Sequence, residues 1–586
     1  MNASVFSARP DRDAEADLPS FLIDDSVVVM KFGSSILRGP ADASAVASEI
    51  YREVRRGRRV VAVVSAFAGH TDRLLREARD LGLDHDNVLL PAYVAIGEEK
   101  SARLTAIACD RVGLSATALS IRELGIRAEG PAEHAEPVAL KRAALLEALS
   151  HHQVVVVPGF AAIDARNRVV LLGRGGSDMT ALFLASELGL GRVCLVKDVS
   201  GLYDREPGAG RPVNRFARAS FEDARRLGGR LVQSDTLDMA RSRAVEIELR
   251  APGEDDGTII GEVSRAPEPW VAPRRLKVAL AGCGVVGGGT LSRLWADPRY
   301  EIVGVLVRDP SRSRDAPGVD AAALAPLLTA DPAELLARKP DILLESLSEA
   351  QAGYELTRLA LAQCIDVASA NKQAISLDPA GLNALAAKHG ARLSWSAAVG
   401  GGAPMIETMR AARAAGPIAA FEAVLNGTVN FMLERLGKGA AFDVALAEAR
   451  AAGFAEEDPS SDLEGLDSAA KVRLLAFEAF DQMPELDAIG CDVLSDEHAA
   501  GPGMRQISRC RPTGDGLAAQ VRLETSGVDP LFRDLEGERN ALRIIGEDGS
   551  VWTCLGRGAG RWPTSESLLC DLTDLALARR ATPANP

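Results

Sequence analysis

The chain has 586 residues, 47% hydrophobic and 25% charged, a composition that excludes a disordered or fibrous protein. At roughly 150 residues per domain, this length suggests about four folding units. Sixty-seven basic against 81 acidic residues leave a net charge of −14, a field that repels nucleic acid and anionic lipid but not small phosphorylated ligands.

No run of 18 apolar residues occurs, so neither a membrane span nor a membrane partner is expected. Residues 1–24 lack an apolar stretch behind a basic one and read as a flexible, solvated tail, not a signal peptide. Cys109, Cys194, Cys283, Cys364, Cys491, Cys510, Cys554 and Cys570 are scattered without a CxxC pair. Reduced thiols in a cytoplasmic protein are therefore expected, not disulfides or structural zinc.

In chain order, Val27–Met30 (VVVM) is the first strand-like run and leads into Lys31-Phe32-Gly33-Ser34-Ser35. Arg59–Ser65, Gln153–Pro158 and Arg192–Val196 are further β-branched runs bounded by turn residues, the pattern of buried parallel strands. Helical patterns over Ala43–Arg56 and Ala139–Ser150 alternate with them, which predicts an αβα sandwich over 25–262. Residues 263–275, rich in proline and charge, read as a linker. Lys277–Ala281 then opens a second α/β series, continued by Glu301–Val307, Asp341–Leu344 and Ile365–Ala368. From about residue 400, helical and shorter strand patterns mix, which predicts an α+β domain.

Gly282-Cys283-Gly284-Val285-Val286-Gly287 fits G-x-G-x-x-G directly after a strand and before an amphipathic stretch. The first glycine permits the tight turn, the second lets backbone approach a pyrophosphate, and the third lets the helix pack closely on the sheet. A dinucleotide is therefore expected on Gly282, Gly284, Val285, Val286 and Gly287. At the end of the next strand, Arg308, with Arg312 and Arg314 nearby, suits the 2′-phosphate of NADP, whereas Asp309 suits the ribose of NAD.

Further on come Asn371-Lys372, then Val399-Gly400-Gly401-Gly402-Ala403-Pro404, then Asn426-Gly427-Thr428-Val429-Asn430. They are followed by a run from Glu456 to Lys471 in which Asp467 and Lys471 share a helix face. Such a pair alone is ordinarily a surface ion pair. The ordered set, from about 276 to the C-terminus and closing on Gly558-Ala559-Gly560, Pro563-Thr564 and Asp571, resembles homoserine dehydrogenase.

That resemblance implies a Rossmann NAD(P)-binding domain over 276–400, a substrate and dimerisation domain over 401–555, and a final segment, 556–586, returning to the nucleotide domain. It implies interconversion of L-aspartate 4-semialdehyde and L-homoserine by a homo-oligomer, a dimer or tetramer. Lys471 matches the proton-transfer lysine, Asp467 its partner, and Lys372 a lysine at the junction of nicotinamide and substrate. Glu456, Asp462 and Thr428 match the substrate site, while Ser348 and Gly560 adjoin the cofactor. Backbone carbonyls of Val399, Gly401 and Ala403 stand where the family holds a monovalent cation, Na or K. The glutamate common in that site is here Ser396, and Leu344-Glu345-Ser346-Leu347-Ser348 lacks a common glycine pair.

In the first domain, Lys31-Phe32-Gly33, Val64-Ser65-Ala66 with Thr71, and Gly97-Glu98 with Ser101 accompany the glycine-rich Leu172–Ala181 and Lys197-Asp198-Val199. Glycine turns that open helices offer N–H groups to phosphate, and lysine neutralises transferring phosphoryl oxygens. Over roughly 25–262 these segments resemble the catalytic domain of aspartokinase, in the amino-acid kinase family. The resemblance implies ATP with Mg as co-substrate and L-aspartate as acceptor. It gives Lys31 a phosphate role, Asp178 the orientation of that lysine, and Arg174, Glu98 and Thr71 the aspartate. An arginine fork suits the α-carboxylate bidentately.

Three departures stand out: Ser34 replaces the second glycine of the family's KFGGTS, Ile36 its final serine, and Lys197 a threonine. If the replaced glycine needs a left-handed backbone, Ser34 costs strain. The rival reading is accordingly a dehydrogenase with a silent kinase-like module. The regulatory ACT domains usual in aspartokinases have no room in 263–275.

Overall fold

The β-branched runs form buried strands because side chains on both faces of a helix-covered parallel sheet must be apolar. The computed structural model describes residues 26–82, 87–207, 212–455, 457–496, 501–525 and 529–581. The tail expected over 1–24 lies outside the described residues. The chain divides into two compact units, Met1–Cys109 with Ser115–Val271, and Asp110–Leu114 with Ala272–Pro586.

The first unit is built on an eight-stranded sheet in the order Arg218–Ser220, Thr258–Gly261, Glu246–Arg250, Arg192–Val196, Val27–Phe32, Arg59–Val64, Val154–Pro158, Ala116–Ala118. Neighbouring strands are parallel except Thr258–Gly261 against Glu246–Arg250. Val29, Val61, Val63, Val155 and Val157 pack with Leu182, Phe183 and Leu184 of the helix Gly176–Glu187, all buried. Lys31 and Leu195 are register partners on adjacent parallel strands, so the chain past both strand ends meets at one edge of the sheet.

Two expectations here need correction. The helix read over Ala139–Ser150 begins only at Arg142, because Glu136–Leu140 is a strand paired with Ile126–Glu129. The expected linker 263–275 contains the strand Glu268–Trp270, paired antiparallel with Val213–Arg215. Tyr203 packs edge-on against Trp270 with ring centroids 5.0 Å apart, which fixes that strand.

In the second unit, a six-stranded parallel sheet runs Leu328–Thr329, Tyr300–Leu306, Leu276–Ala281, Ile342–Glu345, Asp366–Ser369, Leu393–Ser394. In chain order that is 3-2-1-4-5-6, the doubly wound arrangement with its crevice between the first and fourth strands. The helix Arg561–Ala581 returns to this sheet: Leu568, Leu572 and Leu575 are buried with Leu276, Val278 and Leu291. A second six-stranded sheet, mostly antiparallel, is built around Ile418–Val424 and the hairpin Met504–Thr513/Gly516–Thr525. The helices Met405–Ala415 and Leu466–Phe480 cover it, with Met409, Leu474 and Leu475 buried against Phe421 and Ile544. Among the described residues, no helix is long and apolar enough to cross a membrane.

Candidate active sites

The glycine turn lies at the sheet's switch point. Gly282 has φ +93°, and a Cβ there would stand 2.6 Å from the Ser346 carbonyl. A Cβ on Gly287 would strike the Gly282 carbonyl. Gly284, the N-cap of the helix Val285–Leu294, supplies no side-chain cap and faces open space, nothing lying within 4 Å of a Cβ built there. Close packing behind the turn and an uncapped, open helix start in front of it fit a pyrophosphate. Arg308 is exposed just beyond the strand Tyr300–Leu306. The Asp309 carboxylate accepts from Ser311 N at 3.0 Å and Ser311 Oγ at 2.6 Å, bonds that hold it below the usual carboxylate range.

A cavity of about 610 Å³ collects Ser348, Lys372, Thr428, Asp462, Asp467, Lys471 and Gly560. Its centre is Asp467, in the first turn of the helix Leu466–Phe480. Lys471 Nζ, one helical turn on, donates to Asp467 Oδ2 at 2.8 Å, and Lys372 Nζ pairs with Oδ1. Burial favours the neutral acid, yet the two ammonium groups prevail and hold Asp467 far below the usual range. Lys471 Nζ also donates to the Leu425 carbonyl at 2.7 Å, so an ammonium is fixed with two acceptors. Asp467 thus holds two lysines, one on each carboxylate oxygen.

Asn426 is the functional residue that motif spacing misses. Its Nδ2 donates to Asp462 Oδ1 at 2.7 Å and Asp467 Oδ2 at 2.9 Å, which joins the two acids. Burial, followed by the neighbouring Asp467 charge, pushes Asp462 up against the Asn426 bond. Thr428 lines the cavity, but its hydroxyl donates to the Phe454 carbonyl at 2.7 Å, so only its acceptor side is left for a ligand. Glu456 lies outside the described residues. Glu345, also missed, is fully buried at the end of its strand. It accepts from Ser369 Oγ at 2.5 Å, Leu347 N at 2.8 Å and Asn371 Nδ2 at 3.3 Å. Asn371 in turn caps the short helix that begins at Lys372.

The carbonyl segment Val399–Ala403 is buried, with Gly400 and Gly401 at positive φ. Ser396 brings no charge, and the Ala403 carbonyl already accepts from Met405 N at 2.8 Å. That donor set does not fit a strongly held cation.

In the first unit, a cavity of about 350 Å³ is lined by Lys31, Ser34, Thr71, Glu98 and Arg174, with the Gly173–Gly176 turn. Gly175, at φ +77°, opens the helix Gly176–Glu187 without a side-chain cap, as Gly69 does for His70–Asp80. Asp178 receives Lys31 Nζ at 2.6 Å and Lys197 Nζ at 2.9 Å. Burial opposes its charge, but the two lysines hold Asp178 below the usual range; burial itself lowers Lys31. Glu98 Oε1 accepts from Ala66 N at 3.3 Å, and burial pushes this carboxyl up to about 7. Ser34 is exposed and absent from the positive-φ residues, so the strain that its replacement of glycine threatened does not arise. Uncapped helix starts beside buried lysine fit nucleotide phosphates. Among the described residues no cluster of three His, Cys, Asp or Glu side chains is placed to hold a metal ion.

A glycine turn at the switch point of a parallel sheet, beside a lysine–carboxylate–lysine centre, defines an oxidoreductase unit; the first unit is of the phosphotransferase kind. Family models agree: amino acid kinase over residues 26–248, the NAD binding domain of homoserine dehydrogenase over 282–394, and homoserine dehydrogenase over 404–573. A homoserine dehydrogenase from Pseudomonas aeruginosa is 31% identical over 325 residues, 53% of this chain and 74% of that protein. An aspartokinase from Helicobacter pylori is 28% identical over 238 residues, 40% of this chain and 59% of that protein. The chain thus spans rather more than half of that relative's length. A solved homoserine dehydrogenase from Thiobacillus denitrificans aligns with a TM-score of 0.48 at 29% identity, covering 53% of this chain and 75% of that one. The chain belongs to the homoserine dehydrogenase family, with an amino-acid kinase domain fused ahead of it.

Proposed function

We propose that the chain catalyses two reactions of one route: phosphorylation of L-aspartate by ATP, and reduction of L-aspartate 4-semialdehyde to L-homoserine by NADPH. The observation that carries the dehydrogenase reading is the Asp467 carboxylate gripped by Lys471 and Lys372 inside the cavity. Gly282, Gly284, Val285, Val286 and Gly287, with Ser348 and Gly560, would hold a nicotinamide dinucleotide, which when bound would supply the hydride. As negative charge grows on the aldehyde oxygen, Lys471 stabilises it and gives the proton. Asp467 holds Lys471 in its position, Lys372 stands on the other carboxylate oxygen, and Asp462 with Glu456 takes the substrate ammonium. NADP is favoured over NAD because Arg308 is exposed while Asp309 is committed to Ser311. A monovalent cation has no part in this reading.

In the kinase unit, Lys31, oriented by Asp178, faces the phosphates of Mg·ATP, while Arg174, Glu98 and Thr71 hold aspartate. The unstrained Ser34 favours an active domain over a silent one. The proposed division runs 25–262, 276–400, 401–555 and 556–586, with Glu268–Trp270 assigned to the kinase sheet system. Eight cysteines outside any disulfide suit the cytoplasm.

Lys471→Ala tests the dehydrogenase. Homoserine oxidation should fall about 10²-fold or more, with NADPH binding nearly intact. A variant that turns over at the parent rate would remove Lys471 from the mechanism.

A further inference from the structure

Asp178 is shared. Lys31 Nζ takes one carboxylate oxygen at 2.6 Å and Lys197 Nζ the other at 2.9 Å, with side chains only 8%, 11% and 6% exposed for Lys31, Lys197 and Asp178. The positions follow from the sheet. Val27–Phe32 and Arg192–Val196 are adjacent and parallel, with Phe32 opposite Val196. Lys31 therefore stands at the end of one strand and Lys197 one residue beyond the end of the other. The Lys197 amide is pinned to the Arg250 carbonyl at 3.0 Å. Asp178 reaches both lysines from the first turn of the uncapped helix Gly176–Glu187.

The charges do not balance. Asp178 neutralises one lysine, and a second ammonium buried beside it costs desolvation that a bound anion would repay. Lys197 also depresses the Lys31 ammonium, after the larger effect of burial. An uncompensated positive charge at the carboxyl ends of parallel strands, beside an uncapped helix start, is what a polyphosphate would occupy.

We infer that Lys197 is a second phosphate-contacting cation of the kinase site, sharing Asp178 with Lys31 and touching the transferring phosphoryl group. This rests on the kinase reading proposed above. In the step it serves, an aspartate side-chain carboxylate oxygen attacks the γ-phosphorus and a new P–O bond forms. The bond from the γ-phosphorus to the bridging oxygen breaks, and ADP leaves with its electron pair. No proton moves through Lys197; it offsets charge on the γ-phosphoryl oxygens and the ADP oxygen.

The test uses the full chain with Lys197→Met and Lys197→Arg. Three quantities are read: acyl phosphate trapped with hydroxylamine, titrated affinities for Mg·ATP and AMP, and homoserine oxidation as a check on folding. The methionine variant should lose about 10-fold or more in kinase kcat. It should bind Mg·ATP more weakly with AMP affinity unchanged, regain part of both in the arginine variant, and oxidise homoserine as the parent does. Parent kcat together with parent Mg·ATP affinity in Lys197→Met overturns the inference. Equal weakening of Mg·ATP and AMP also overturns it, because a merely structural ion pair cannot sense the outer phosphates. A parent chain that makes no acyl phosphate sinks the kinase reading, and the Mg·ATP against AMP comparison still decides whether Lys197 touches phosphate.

Discussion

Glu98 and Asn426 show what single residues contribute and how differently they can be read in advance. Gly97-Glu98 at a helix start is visible as a motif, but its chemistry comes from burial, which lifts the carboxyl from 4.5 to about 7. A substrate ammonium binds the carboxylate form, so below about pH 7 binding must expel a proton. The KM for aspartate should therefore rise as pH falls below 7, approaching roughly tenfold per unit, and level off above it. Glu98→Gln should raise KM and erase that step; a parent profile flat from pH 5.5 to 8 would show that Glu98 does not meet the ammonium. The stability linkage has a fixed sign too. With its folded value raised, Glu98 adds stability that is full below about 4.5 and lost as pH climbs through about 7. Asn426, by contrast, was not legible as a site residue. It bonds Asp462 and Asp467, 36 and 41 residues away, and no local pattern encodes a contact made by folding.

The central strands of the two large sheets were legible to within a residue or two because burial on both faces demands unbroken β-branched runs, as in Arg59–Val64 and Arg192–Val196. The shorter or outer Ala116–Ala118, Arg218–Ser220, Glu246–Arg250, Thr258–Gly261, Leu328–Thr329 and Leu393–Ser394 were not legible. The two misread segments lack that signal. Glu268–Trp270 is a short edge strand with a central proline, and Glu136–Leu140 buries only Pro137 and runs directly ahead of a helix. The strand–turn–helix around Gly282–Gly287 was legible because its glycines answer to space: Gly287 packs under Gly282 and Ser346. Gly287→Val should therefore overpack the turn by about 1–3 kcal/mol and push the helix start away from the phosphates. NADPH binding, followed by nucleotide fluorescence, should be lost while hydroxamate formation persists. Retained NADPH affinity would mean that the dinucleotide does not lie on this turn.

At the scale of the whole chain, the sequence showed two catalytic units and the absence of space between them, but not that each unit holds two lysines on one carboxylate, nor the Asn426 amide that bridges two acids in the second. The amino acid kinase match ends at 248 and the NAD binding match begins at 282. The intervening residues are already spent on structure: Thr258–Gly261 completes the kinase sheet, Glu268–Trp270 pairs with Val213–Arg215, and Leu276–Ala281 is the first Rossmann strand. Nothing there can fold into the paired ACT domains that usually give aspartokinases feedback control. Allosteric inhibition needs a second site whose occupancy biases one of two states, and an effector with no such site shifts nothing. Hydroxamate formation from ATP and L-aspartate should accordingly be flat as threonine or lysine is added up to millimolar levels, and Lys31→Ala should abolish it. Strong inhibition by threonine at fixed Mg·ATP and saturating aspartate would place a regulatory site inside one of the catalytic units. Inhibition by threonine that saturating aspartate relieves would instead mark a competitor in the Glu98–Arg174 cavity, with no second site required.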